Sequence, residues 1–216
     1  MIKGILFDLD GVIVDTAVYH YSAWRRMANE LGFDIDEEFN ETLKGISRMD
    51  SIDRILEKGG VTLSKEEILK LATKKNEWYL EMVEKMTTDE ILPGIETVIG
   101  QIKDLGLKMS LGSASKNSPA ILNKIGLMDK FDAIVDGNSV TKSKPDPEVF
   151  IKGAEALGLK NEECLVIEDA FAGIEAAHAA GMKAIGIGSK ENLPNADMNL
   201  SSFEGESLND ILKALA

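Results

Sequence analysis

Two pairs of carboxylates and one isolated lysine are the groups in this chain whose types and spacing could do chemistry. Asp8 and Asp10 lie two apart in Asp8-Leu9-Asp10-Gly11, at the end of an apolar run that includes Ile2, Ile5, Leu6 and Phe7. On extended backbone that spacing points both side chains the same way, into one small volume at a strand's C-terminal end. Like charges so close are costly unless a cation joins them or one carboxyl keeps its proton. A hard divalent ion, Mg2+ by preference, suits such oxygen ligands. The competing reading is an acidic surface turn, because Asp-Gly is a common turn pair; the tetrapeptide alone leaves both open. Glu168-Asp169 is a second carboxylate pair, after the apolar run Cys164 to Ile167, able to complete a metal's ligand set. Ser113-Ala114-Ser115-Lys116-Asn117 sets hydroxyl, amide and backbone N–H groups where a strand gives way to a helix, an arrangement that suits an anion. Lys144, in Lys144-Pro145-Asp146-Pro147, is a cation held beside stiff prolines.

The elements that must position these groups alternate from about residue 91 onward. Pro93-Gly94 opens a helix through Ile95, Val98, Ile99, Ile102 and Leu105 that stops at Gly106. Leu107 to Gly112 reads as a strand, Ser118 to Ile125 as a helix with Pro119 in its first turn, and Phe131 to Val135 as a strand. Asp146-Pro147 starts a helix in the N-cap and N1 style that ends near Gly158. The strand Cys164 to Ile167, a helix through Ile174 to Ala180 and the strand Lys183 to Ile187 complete the series. This is the pattern of an α/β fold, a doubly wound (Rossmann-like) parallel sheet, in which ligands sit beyond the strand C-termini. All the chemical groups named above fall at such ends.

Residues 15–89 interrupt the alternation. Tyr19 to Leu31 reads as a helix ended by Gly32, and Ser64-Lys65-Glu66-Glu67 is a capping box opening a long helix to about Met86. The expected organisation is an α/β core of residues 1–14 and 90–216, with residues 15–89 as a helical domain inserted after the first strand. Its two connections would form a hinge.

Composition removes several function classes. The 24 basic and 37 acidic residues give a net charge of -13, which repels nucleic acid phosphates. No apolar stretch reaches the roughly 18 residues of a membrane span. The start of the chain shows no basic leader with a cleavage site, so a cytoplasmic protein is expected, and a monomer. Cys164, the single cysteine, excludes an internal disulfide and reads as a small core residue.

Taken together, the motifs resemble those of the haloacid dehalogenase-like superfamily of phosphotransferases. The likeness runs through Asp8 to Gly11, Ser113, Lys144 and Glu168-Asp169, in order along the whole chain. It includes the helical cap insert after the first strand. Within the superfamily, Leu43-Lys44-Gly45-Ile46-Ser47-Arg48 resembles the cap loop of β-phosphoglucomutases. So do Asp15-Thr16-Ala17, Tyr19-His20, Trp24, the Ser113 to Asn117 run and the Lys75-Asn76 pair. Met49 and Gly112 depart from that pattern, which has an acidic residue and Ala there.

The resemblance implies roles. Asp8 would be the nucleophile and Asp10 the general acid and base, with Lys144, Ser113 and the backbone at Ala114 holding the phosphoryl oxygens. Mg2+ would be held by Asp8, the Asp10 main-chain carbonyl and Asp169, with Glu168 assisting. Arg48, faced by Ser115, Lys116 and Asn117, would grip a second phosphate. Thr16, His20, Lys44 and Lys75 would position Asp10 as the cap closes, with Gly45 in the cap loop and Trp24 at the cleft. The implied reaction interconverts β-D-glucose 1-phosphate and D-glucose 6-phosphate through an aspartyl-phosphate and β-glucose 1,6-bisphosphate. A sugar-phosphate phosphatase of the same superfamily is the alternative. Small sugar phosphates would be the partners.

Overall fold

The fold is known from a computed structural model that describes every residue except Gly45 and Ala216. Among the described residues, six strands make one sheet: β1 (Gly4–Phe7), β2 (Lys108–Gly112), β3 (Ala133–Val135), β4 (Cys164–Glu168), β5 (Lys183–Ile187) and β6 (Met198–Leu200). The order is β3-β2-β1-β4-β5-β6 and every neighbouring pair is parallel. Four helices follow β1: α1 (Ala17–Glu30), α2 (Glu37–Glu41), α3 (Arg48–Gly59) and α4 (Lys65–Val83). The others, α5 (Ile95–Asp104), α6 (Ser118–Lys124), α7 (Glu148–Leu157), α8 (Phe171–Ala179) and α9 (Leu208–Ala214), connect or follow the remaining strands. The α/β, doubly wound parallel architecture expected from the sequence is the observed one.

Alternation along β1 explains why both faces are covered. Ile5 and Phe7 point into a core shared with α5, α6 and α9 and continuous with the apolar side of α1, α3 and α4. Leu6 points to the opposite face, into a second core with Val149, Phe150 and Ala154 of α7 and Ile174 of α8. All three are fully buried, so β1 is the sheet's central stave. The strand order reverses between β1 and β4, and the crevice of a doubly wound sheet opens at such a point. Phe7 pairs in register with Leu111 on one side and Ile167 on the other. The residues that follow, Asp8, Gly112-Ser113 and Glu168-Asp169, therefore emerge side by side.

Several boundaries differ from the sequence reading. The α7 helix starts at Glu148, with Pro147 as its N-cap rather than its first residue. Asp146 still contributes, accepting from the Glu148 N–H at 3.0 Å. The long helix α4 ends at Val83 rather than near Met86, but begins at the expected capping box: Ser64 and Glu67 bond each other's backbone N–H. Two helices, α2 and α3, were not expected. Asp36 and Ser47 cap them, accepting from the Phe39 and Asp50 N–H groups. Ser47 is thus the cap of a helix with Arg48 in its first turn, where the sequence reading places both in a loop. The two connections to the sheet lie against each other: Val14 bridges to Ile91, and the Leu92 N–H donates to the Ile13 carbonyl at 2.9 Å. No helix among the described residues is long and apolar enough to cross a membrane.

Candidate active site

One cavity of about 1120 Å3 lies between the sheet's C-terminal edge and helices α1, α3 and α4. Its lining includes Asp8, Asp10, His20, Trp24, Lys44, Arg48, Lys75, Ser113, Ala114, Ser115, Lys116, Asn117, Lys144 and Asp169. All fourteen are among the candidates from sequence, Ala114 through its backbone. Thr16 and Glu168 sit just behind the wall, fully buried. Gly45 lies outside the described residues.

The floor is a buried charge cluster. Lys144, only 2% exposed, donates to Asp8 Oδ1 at 2.7 Å and to Glu168 Oε1 at 2.6 Å. Burial works against its charge, but attraction to Asp8 and Glu168 outweighs it and holds the ammonium above its ordinary value. The second Glu168 oxygen accepts the Ala170 N–H at 2.7 Å. Carboxylate oxygens of Asp8, Glu168 and Asp169 lie within 4.8 Å of one another. Burial, then the charges of Glu168 and Asp8, push Asp169 well above the usual carboxylate range, and Lys44, 3.6 Å away, only partly offsets them. Three acids against two lysines, one of which also serves Glu41 at 2.9 Å, leave a deficit of positive charge. A hard divalent cation fits these oxygen donors and would relieve it. The backbone is shaped to the acids. A Cβ added at Gly11, where φ is +75°, would lie 2.0 Å from Asp169 Oδ2. One added at Gly173 would lie 1.8 Å from Glu168 Oε1.

Lys144→Met is expected to strip the floor of its counter-ion. Leaving two carboxylates buried and unpaired should cost about 3–5 kcal/mol of stability. Urea unfolding at neutral pH measures this; a loss below ~1 kcal/mol would mean that solvent or relaxation already screens the pair.

Asp10 turns away from that cluster. Its Oδ1 accepts the Thr16 hydroxyl, and it is not among the acids whose oxygens lie within 4.8 Å of one another. Burial first, then the Asp8 charge, pushes Asp10 up to about 7, against the pull of Lys144 and Lys75. A carboxyl in that range can hold or release a proton near neutrality. Around it, Lys75 lies 2.8 Å from His20 Nδ1 and 3.8 Å from the centre of the Trp24 ring. Burial and the Lys75 and Arg48 charges push His20 well below its ordinary value. A neutral His20 then accepts from Lys75 at Nδ1 and carries its proton on Nε2. Lys44 does not join this group; it faces Asp169 instead.

The roof and far wall meet through a residue that had no assigned role. Asn76 Oδ1 accepts from Arg48 Nη2 at 2.7 Å and from Asn117 Nδ2 at 2.8 Å. It thereby ties α3 and α4 to the start of α6. Behind Asn117, the Ser113 hydroxyl accepts the Ser115 N–H at 3.1 Å and the Ser115 hydroxyl accepts the Asn117 N–H at 3.2 Å. Arg48 and Lys116 line the same cavity as Asp8 and Lys144. The sequence marks Asn76 only through the Lys75-Asn76 pair of the resemblance, and not this role, because its partners Arg48 and Asn117 come from other parts of the chain. Gly112, a departure noted above, has a packing cause: a Cβ there would sit 2.9 Å from Phe150 Cδ1.

Comparison with known proteins follows the same lines. The family model for haloacid dehalogenase-like hydrolases matches residues 5–187. The chain is 41% identical over 198 residues to a β-phosphoglucomutase of Bacillus subtilis (strain 168), covering 91% of this chain and 88% of that protein. It is 32% identical over 186 residues to a fructose-1-phosphate phosphatase of Escherichia coli (strain K12), covering 85% and 95%. A crystal structure of β-phosphoglucomutase from Clostridium difficile superposes with a TM-score of 0.96 at 45% identity, covering 100% of this chain and 97% of that one.

Proposed function

The chain belongs to the haloacid dehalogenase-like hydrolase family, and from that premise we propose that it works as a β-phosphoglucomutase. It would interconvert β-D-glucose 1-phosphate and D-glucose 6-phosphate through β-D-glucose 1,6-bisphosphate. The observation that carries this reading is a single cavity lined by two separate cationic groups, Lys144 bonded to Asp8 and Arg48 bonded to the Asn76 that Asn117 also bonds. A bisphosphate that must be held in either direction needs both; a simple phosphatase needs one. The 41% identity to a β-phosphoglucomutase supports the same choice.

In this mechanism Asp8 attacks phosphorus, and the bond from phosphorus to the sugar oxygen breaks as an aspartyl-phosphate forms. Asp10 takes the proton of the free sugar hydroxyl as its oxygen displaces Asp8 from phosphorus and makes the bisphosphate; once the bisphosphate has turned round and Asp8 attacks its other phosphate, Asp10 gives that proton to the departing sugar oxygen. Lys144, Ser113 and the Ala114 backbone hold the phosphoryl oxygens while charge moves between them, the larger share of the work in phosphoryl transfer. Asp8, Asp169 and the Asp10 carbonyl, with Glu168 assisting, would hold Mg2+, which when bound offsets repulsion between the carboxylate and the phosphoryl oxygens. Residues 15–89 serve as a cap over the core of 1–14 and 90–216, and its closure keeps water from competing with the sugar.

A coupled assay for glucose 6-phosphate tests the reading, with β- or α-glucose 1-phosphate, a trace of bisphosphate and free phosphate read in parallel. Glucose 6-phosphate from the β-anomer alone is expected. Free phosphate alone would replace the mutase with a sugar-phosphate phosphatase. Treatment with EDTA should stop turnover by at least about a hundred-fold, and added Mg2+ should restore it. Indifference to the chelator would remove the metal from the mechanism.

A further inference from the structure

Tyr79 is the largest of the fully buried side chains, with 0% exposure, and its hydroxyl has no hydrogen-bond partner. A buried, unpartnered hydroxyl is destabilising, so its retention beside the cavity calls for a cause. The ring itself is fixed. It sits in α4, packed against His20 of α1 with ring centroids 4.2 Å apart, and Lys75 Nζ lies 5.1 Å above it.

Thr16 supplies the other half. It occupies the N-cap position of α1, where a threonine ordinarily bonds a backbone N–H of the first turn. Here its side chain makes no such bond and is fully buried. Its one hydroxyl proton goes instead to Asp10 Oδ1. That leaves the Thr16 oxygen as an acceptor with lone pairs to spare. His20 lies one turn beyond Thr16 on the same side of the chain, its N–H donating to the Thr16 carbonyl at 2.9 Å, and it is His20 that packs on the Tyr79 ring, so the phenol lies against the turn that begins at Thr16. Tyr79 is therefore a donor without an acceptor, and Thr16 an acceptor without a donor.

We propose that Tyr79 is a positioning residue for the acid–base carboxyl. Its hydroxyl donates to Thr16 Oγ1 in the working enzyme, so that Thr16 is fixed as donor to Asp10. The Tyr79 proton is never transferred; its part is to set the direction of the Thr16 hydroxyl. This rests on Asp10 being the acid–base group, but not on which acceptor takes the phosphoryl group.

Tyr79→Phe is the direct test, because it keeps the ring and deletes only the hydroxyl. Sugar-phosphate turnover, with all products summed, is expected to fall about ten-fold in kcat with little change in KM, as for a misdirected proton carrier. Single-turnover phosphorylation of Asp8 by acetyl phosphate, whose leaving acetate needs no proton, should be unchanged. Thermal unfolding should occur at the same or a higher temperature. In an Asp10→Asn background the same substitution should have no further effect. Unchanged sugar-phosphate turnover, equal losses with acetyl phosphate, or additive losses with Asp10→Asn would each overturn the proposal. The mutase reading fails separately, if the wild-type protein releases free phosphate and no glucose 6-phosphate.

Discussion

Asp8→Asn is expected to lower turnover by about four to six orders of magnitude, the scale seen when a covalent nucleophile is deleted. The fold should survive. The amide oxygen can still accept from Lys144, which keeps its 2.6 Å bond to Glu168, and Asp8 makes no other side-chain bond among the described residues. A change in unfolding free energy below about 1 kcal/mol is expected. Intact-mass measurement after rapid quenching should show the phosphoryl adduct in the wild type and none in the variant. Turnover retained above about one per cent would exclude an aspartyl-phosphate at this position, and with it the proposed route.

Arg48→Ala is expected to separate the two anion grips. A charge-assisted contact to phosphate in a sheltered cavity costs about 2–5 kcal/mol when one partner is truncated. Some 2.7 kcal/mol is a hundred-fold loss, and mutase kcat/KM should fall by about that much. Hydrolysis of a small phosphate ester, which carries no second phosphate, should change less than about three-fold. Arg48→Lys should recover part of the loss, since it returns the charge without the planar fork. Arg48 touches Asn76 and not the acid floor, so equal losses for both substrates would mean that it props the cavity rather than grips a second phosphate.

The sheet could be read from sequence because its strands are short apolar runs ended by glycine or acid, and buried parallel strands leave little else. β1, β2, β4 and β5 fell within two residues of their expected places for that reason. β6 was missed: Met198–Leu200 is three half-buried residues at the sheet's edge, with no run to see. The start of α3 was missed because Ser47 and Arg48 were taken for loop chemistry, although Ser47, Ile52, Ile55 and Leu56 carry an N-cap and one apolar face. The acids and Lys144 could be placed together because strand order alone sets their neighbours. Asn76 and Tyr79 could not, since each depends on how α4 packs against α1, α3 and α6. Lys44, expected beside Asp10, faces Asp169 instead, 3.6 Å away.

The bare backbone at Gly11 and Gly173 has a bearing on relatives of this chain. At each position a single methyl would occupy space now filled by a carboxylate oxygen. A paralogue could therefore retain every charged group and still be inert, through one alanine that no inventory of catalytic side chains would flag. When new sequences are sorted into working and decayed copies, these two achiral positions should weigh as heavily as the acids they accommodate.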